Sequence, residues 1–338
     1  MATKSAPSGS ATITSVMKRI YSLGVQGGLF GAIDCTGNWL VPPIFNALTQ
    51  FDKGYASARL NYESCIVDCH GNIEHLRKFE EIEPPCDKFA VFWTGNAYGI
   101  LNLMTKQTFC TNYESIENLG HGLFAVEDRN HWGIIDSFGK TIIPMMLESY
   151  PDIYFRQGLI ISKLMGSYVA MDFNSKVVRK YNFDEMGRFC RRGAIVRLGS
   201  AFGVVGDNGE IRMPFHNRRI LKCCDVERDL WLIEQDNVYA IYDLSKQTRL
   251  RPDCEDMIGC EDGEHSWLLL NGSWSLYDLN FNCIVHNYCE ELGPFVNKYY
   301  IATRCNSDSW LVRLTSKGLD EVFPSDRNAS CRGNMRKG

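Results

Sequence analysis

Two sets of residues hold the types that could bind a metal. Cys283-x-x-His286-x-x-Cys289, preceded by Cys254 and Cys260, offers thiolate and imidazole ligands of the kind zinc takes. The spacing is not a paired knuckle. If Cys283 lies on a strand, residues 283, 286 and 289 cannot all converge, because alternate side chains point to opposite faces. Cys65, Cys69 and His70 have the same defect, and Cys223-Cys224 reads as a core residue beside a surface one. Nucleophilic catalysis needs a nucleophile, a base and an orienting group together. No G-x-S-x-G elbow, phosphate loop or H-E-x-x-H helix is present. "GVVGDNG" at 203–209 has phosphate-loop glycines, but no helix follows to aim amides at an anion. The sequence therefore assigns no catalytic residue, no metal ligand and no cofactor.

What the chain repeats is clearer. Taking Trp132-Gly133 as an anchor, similar aromatic–small pairs stand at Tyr98-Gly99 and Phe30-Gly31, with Ser64-Cys65 between them, all at steps of 34. Forward lie Tyr168-Val169, Phe202-Gly203, Tyr239-Ala240, Trp274-Ser275 and Trp310-Leu311, at steps of 36, 34, 37, 35 and 36. A second column keeps this phase. Three residues after the small anchor stand Asp34, Asp68, Asn102, Asp136, Asp172, Asp243 and Asp278. Pro42, Pro144, Pro214 and Pro252 form a third column. A fixed period of this length marks a repeat architecture.

Each unit reads as a meander of short strands. Apolar runs of about five residues suit strands, and "CTGN", "SFGK" and "GDNG" supply hairpin turns. The aspartate before each turn is placed to accept hydrogen bonds from turn amides. The proline is expected to end the following strand, where no ladder donor is needed.

On these residues the chain resembles the WG β-repeat family of bacterial proteins. The match is best in the unit of Trp132, Gly133, Asp136, Gly139 and Pro144, and good in that of Phe30, Gly31, Asp34, Gly37 and Pro42. The resemblance implies a repetitive all-β protein, usually bacterial and without assigned chemistry.

The expected fold is all-β, a tandem array of antiparallel meanders of about 34–37 residues, open and superhelical. The alternative is a closed β-propeller of 8–9 blades, large against the usual 4–8. Residues 18–26 look like the last strand of a missing unit, and 309–324 like the first hairpin of a ninth. In a ring those halves would join. The expected organisation is a flexible polar leader over 1–17, a repeat domain over 18–324 with about eight full units, and a loose basic tail over 325–338. Ile13, Val16, Met17 and Ile20 follow helical spacing, so a short capping helix is expected at 13–21.

Composition narrows the function. With 338 residues, 45% of them hydrophobic and a net charge of −4, the chain has no global attraction to nucleic acid or membrane. It has no apolar run of about 18 residues to span a bilayer and no secretory signal at its start. Its fourteen cysteines are then expected to be thiols in a cytoplasm. Charge is uneven: residues 176–222 carry eleven Lys/Arg against four Asp/Glu, and 223–265 carry four against twelve. The two segments either neutralise each other or form a bipolar surface.

Just before one strand of successive units stand Lys53, Lys88, His121, Arg156, Arg192, Arg228 and Lys298, with Arg188 and Arg191 beside them. In register, these line one rim, which reads first as a solvated loop row diluted by Asp52, Asp87 and Glu227, and otherwise as a basic rim able to grip an acidic protein surface, a phosphate-rich molecule or nucleic acid. Aromatics for base stacking are sparse there, which disfavours nucleic acid. The expectation is a non-enzymatic interaction scaffold with a protein partner, either an effector-type, virulence-associated binder or a toxin-neutralising immunity protein. It would act in a bacterial cytoplasm or be delivered from one. The rival is a hydrolase or transferase with its site in the central cleft of a closed propeller, where His216, His265, His286 and Asp207 are the residues to examine.

Overall fold

In the computed structural model, the described residues are 20–24, 28–154, 157–217, 219–235, 238–250, 253–260, 264–293, 295, 299–304, 308–315 and 318–324. They are all-β and contain no helix. Nine antiparallel sheets follow one another along the chain, and within each the strands pair strictly with their sequence neighbours. The fourth sheet is representative. Ser115–Gly120, Leu123–Asp128, His131–Asp136 and Thr141–Leu147 form a four-stranded meander. The aromatic–small anchors all fall on the third strand of a four-stranded sheet, or on its counterpart in the first. One period of the sequence is therefore one blade.

The blades stack face to face because both faces of each sheet are apolar. On Leu123–Asp128, the consecutive residues Phe124, Ala125 and Val126 are all fully buried. Since alternate residues point to opposite faces, this strand needs a cover on each side. Phe124 and Val126 share a core with Phe89 and Val91 of the third blade. On the other side, Ile134 and Leu147 pack with Ile160 and Val169 of the fifth.

The stack closes on itself. Tyr21, Leu23 and Ile33 of the first blade share a core with Tyr299, Ile301 and Leu311 of the ninth. The rings of Tyr21 and Tyr299 meet edge to face at 5.6 Å. The fold is thus a nine-bladed β-propeller rather than the open array. The route of closure also differs from the joined halves expected from the sequence. Ile20–Gly24 pairs with Phe30–Asp34 inside the first blade, and Asp308–Thr315 pairs with both its neighbours inside the ninth. Among the described residues no strand is shared across the seam, which is sheet-on-sheet packing. The expected helix at 13–21 lies mostly outside the described residues, and its last two, Ile20 and Tyr21, are strand.

Pro42, Pro144 and Pro214 do not end a strand, and Pro252 lies outside the described residues. Pro144 and Pro214 lie inside fourth strands, at bulges where Trp132 pairs Leu147 but Ile134 pairs Ile143, and where Phe202 pairs Asn217 but Val204 pairs Met213. A bulge frees the proline from donating to the ladder. It also drives the fourth strand against the anchor: a Cβ on Gly133 would sit 2.7 Å from the Met145 sulfur and 2.9 Å from the Ile143 carbonyl oxygen. Only a residue without a side chain fits there, and Gly31, Gly99 and Gly203 meet the same close approach, whereas the other blades carry Cys65, Val169, Ala240, Ser275 and Leu311 at this position.

Closure can be tested through two glycines with similar positive φ. A Cβ on Gly37 (φ +88°) would lie 2.5 Å from the Phe323 carbonyl oxygen across the seam, whereas Gly166 (φ +73°) has open space around it. Gly166→Ala is expected to cost about 1 kcal/mol from backbone strain alone. Gly37→Ala is expected to cost about 2 kcal/mol more, measured by denaturant unfolding; equal losses would contradict a closed seam.

Candidate functional site

Two ends of the blades differ in construction. One carries the turns joining first to second and third to fourth strands; the other carries the turns joining second to third. On the first, here the turn face, each aspartate column builds a hairpin. Asp136 Oδ1 accepts the amides of Phe138 and Lys140, both at 2.9 Å. Asp172 and Asp278 do the same for residues two and four further on. The Lys176 amide in the first turn, and the Asn282 side chain and amide in the second, hold these carboxyls below the usual carboxylate range. A carboxylate that satisfies several donors is favoured in its charged form.

The first-to-second-strand turns carry the basic column, and most of it ties blades together. Asp52 of the second blade accepts the Asp87 amide of the third at 2.6 Å, and Asp87 accepts the His121 amide of the fourth at 2.5 Å. Lys53 closes this chain with an ion pair to Asp87. Further round, Arg188 lies 3.9 Å from Asp152 of the fifth blade. Arg191 pairs with Glu227 of the seventh blade, and Arg192 donates to the carbonyls of Val226 and Glu227. Arg228 binds Asp225 within its blade and Ser266 in the next. Lys88 is exposed beside Asp87. Arg156 and Lys298 lie outside the described residues.

The same turns settle where the uneven charge goes. The basic segment faces the acidic one across the boundaries of blades six to eight, through Arg191–Glu227, Arg212–Asp229 and Lys222–Asp256. The Arg212–Asp229 pair is the most enclosed, and Asp229 also accepts the indole N–H of the buried Trp231 at 3.0 Å.

Between blades two, three and four the turn face opens into a cleft of about 800 Å³. Lys53, Lys88 and His121 stand on it, together with the side chains of Phe89, Met104 and Phe138. Phe138 is 80% exposed and Met104 66%. A smaller hollow of about 470 Å³ shares Phe89 and Phe138 with it and runs on to Phe109.

A different cluster occupies the short first strands, which draw together at the ring axis while the fourth strands leave Val178, Ile211 and Ile284 exposed outside. Burial, then the charges of Glu117 and Glu81, raise Glu83 from the ordinary 4.5 to about 7. Tyr150 is pushed up to about 12, by burial first and then by Glu117. Arg188 lies 5.2 Å over the Tyr150 ring, and burial raises Asp152 beside it. Four blades contribute to this row. No motif marks it: Glu81 and Asp152 sit on strands of two and three residues, Glu83 just past the first of these, and Glu117 on Ser115–Gly120, each in a different sequence context.

The residues singled out for metal or catalysis do not assemble. Cys283 and His286 are exposed while Cys289 is buried, and no group of three or more metal-ligating side chains occurs among the described residues. His216 and His286 lie exposed on outer strands of blades six and eight. His265 opens the second strand of blade eight. Asp207 accepts from Gln157 at 2.9 Å, in a turn of blade six.

The geometry defines the class: a closed, nine-bladed propeller of short meanders. Within it, the family model described as "WG containing repeat" matches residues 30–63 and 132–161. No curated protein matches the sequence. Among solved structures, a crystal structure of "the eukaryotic initiation factor" is similar at 12% identity and a TM-score of 0.58, covering 92% of this chain and 97% of that one. This likeness is one of fold. Dihydro-heme d1 dehydrogenase NirN in complex with DHE aligns at 12% identity and a TM-score of 0.47, over 78% and 70%. Hsv2p of Kluyveromyces lactis aligns at 8% and 0.37, over 81% and 96%. No helix among the described residues is long and apolar enough to cross a membrane.

Two predictions follow from the turn face and the axis. Asp87→Ala should cost about 1 kcal/mol and speed hydrogen exchange at the His121 amide, while Asp87→Asn, which keeps an acceptor, should restore part of the protection. The folded state holds a proton on Glu83 that the unfolded chain releases above its ordinary pKa. Its contribution to stability is therefore full below pH 4.5 and lost as pH rises to about 7. Glu83→Gln should flatten that decline, by about 1 kcal/mol once solvent screening is allowed for, in unfolding curves recorded across the window.

Proposed function

We propose that this propeller is a non-enzymatic scaffold that binds a protein partner on its turn face. The observation that carries the reading is the open cleft there, with two large apolar side chains exposed beside cations. Exposed apolar area of this kind, rimmed by polar residues, marks interaction surfaces. The sequence supports it too, since the repeat accounts for nearly every recognisable motif. Within this reading the basic column widens the surface, with Lys88, Arg188 and Arg191 presenting charge outward. The biological role is that of an effector-type binder or a toxin-neutralising protein of a bacterial cytoplasm, and nucleic acid is disfavoured.

A second reading, an enzyme with its site in the central cleft, is favoured by ring closure itself, the architecture it requires. The axial row of Glu83, Glu117, Tyr150, Asp152 and Arg188 would supply its acid–base chemistry, with Glu83 near neutrality suited to proton transfer.

Affinity capture with the full chain, followed by cross-linking and mass spectrometry, separates the two. The scaffold reading expects a recovered protein cross-linked to the turn face and weakened by Arg188→Glu with Arg191→Glu. Turnover of a small substrate that Glu83→Gln or Glu117→Gln abolishes, with no partner recovered, would establish the enzyme instead.

A further inference from the structure

The turns between third and fourth strands can be compared blade by blade. In the first eight, the residue two after the turn aspartate, or after its equivalent, is Thr36, His70, Met104, Phe138, Asn174, Asn208, Ser245 and Asn280. All eight are exposed. Six are polar, as an unpacked turn position should be. The two that are not, Met104 and Phe138, are neighbours in blades three and four and line the same cleft. Packing does not require them. In these two blades the turn uses only the backbone at this position, Phe138 donating its amide to Asp136 and Met104 its amide to Asn102 at 3.0 Å, whereas Thr36 and Ser245 add side-chain hydrogen bonds to their aspartates.

The cleft also holds cations. Asp87 is paired with Lys53 and accepts the His121 amide, and Asp136 accepts two turn amides while keeping its charge. Lys88 on the cleft and Lys140 just outside it are exposed, with no carboxylate in ion-pair range among the described residues. Lys88 thus offers an ammonium group above an apolar floor that includes Phe89 and Leu123.

We infer that this cleft is the docking site for an acidic, extended segment of a protein partner. A large apolar side chain of the segment seats between Met104 and Phe138, and its carboxylates reach Lys88. Apolar anchors in a desolvated pocket carry most of the affinity of such contacts, while the charges set orientation and partner choice. The inference rests on the scaffold reading and names its partner's chemistry.

The test is fluorescence anisotropy on the full chain with a labelled ten-residue peptide of glutamates and aspartates around a central phenylalanine. Binding is expected that Phe138→Asn or Met104→Asn weakens about tenfold, as does Lys88→Glu. Asparagine is what blades five, six and eight carry at this position, so folding is preserved, and circular dichroism checks it. The same peptide with a central alanine, or with lysines as flanks, should bind about tenfold more weakly. Absence of binding at millimolar peptide, or indifference to Phe138→Asn, overturns the proposal. So does capture by phosphatidylserine vesicles, but not by the peptide, that depends on Phe138, since the cleft would then meet a membrane. If Phe138→Asn leaves affinity capture from native cells unchanged, the cleft assignment fails and the scaffold stands. If the unaltered chain captures nothing, the scaffold reading fails as well.

Discussion

The structure depends on one constraint: every blade is apolar on both faces. A strand such as Leu123–Asp128, with Phe124, Ala125 and Val126 all inaccessible to water, can exist only between two other sheets. Burial of that much apolar surface is the main favourable term in folding. A finite stack of such sheets would leave one bare face at each end. Terminal units of open arrays meet this need with a polar outer face. Here the end blades have none: Tyr21, Leu23 and Ile33 are buried at one end, and Tyr299, Ile301 and Leu311 at the other. The two ends cover each other. The ring is the way this stack disposes of its last two apolar faces.

That reasoning shows how far the sequence could be read. The period, the meander, the turn aspartates and the WG-type units were legible because they depend on local chemistry, a carboxylate against nearby amides or a glycine under a bulge. Closure depends on residues almost three hundred positions apart, such as Tyr21 and Tyr299, and a local pattern does not reveal it. One indication was present: the first and last units are as apolar as the middle ones, which an open array cannot afford. The proline column misled for a related reason. Proline is excluded from a regular ladder but not from a bulge, and the bulge shows only in how Thr141–Leu147 pairs with His131–Asp136, not in the residues around Pro144.

The candidate site was legible in part. The basic column was visible as a periodic feature, but its partners were not. Lys53 finds Asp87 one blade on, and Arg191 finds Glu227. These pairs arise because successive turns are brought side by side by the stacking, so residues one period apart become neighbours. The axial row around Glu83 was invisible for the opposite reason. Its carboxylates converge from short strands of different blades, and Glu83 takes its character from burial and from Glu117, some thirty residues away.

The repeat itself tells where such a protein can specialise. Positions fixed by packing, above all the alternating core, must be kept or the stack loses its fit. Positions fixed by the backbone alone are freer, and the turn residue occupied by Phe138 is one of them, since its amide serves the turn. The eight such turns of the first eight blades are therefore a surface on which side chains vary at little cost to the fold. Stability selects polar residues there, because an exposed phenylalanine gains nothing from folding. Where two neighbouring blades carry apolar residues at that position instead, beside an exposed lysine, folding supplies no gain, and the docking proposed above would.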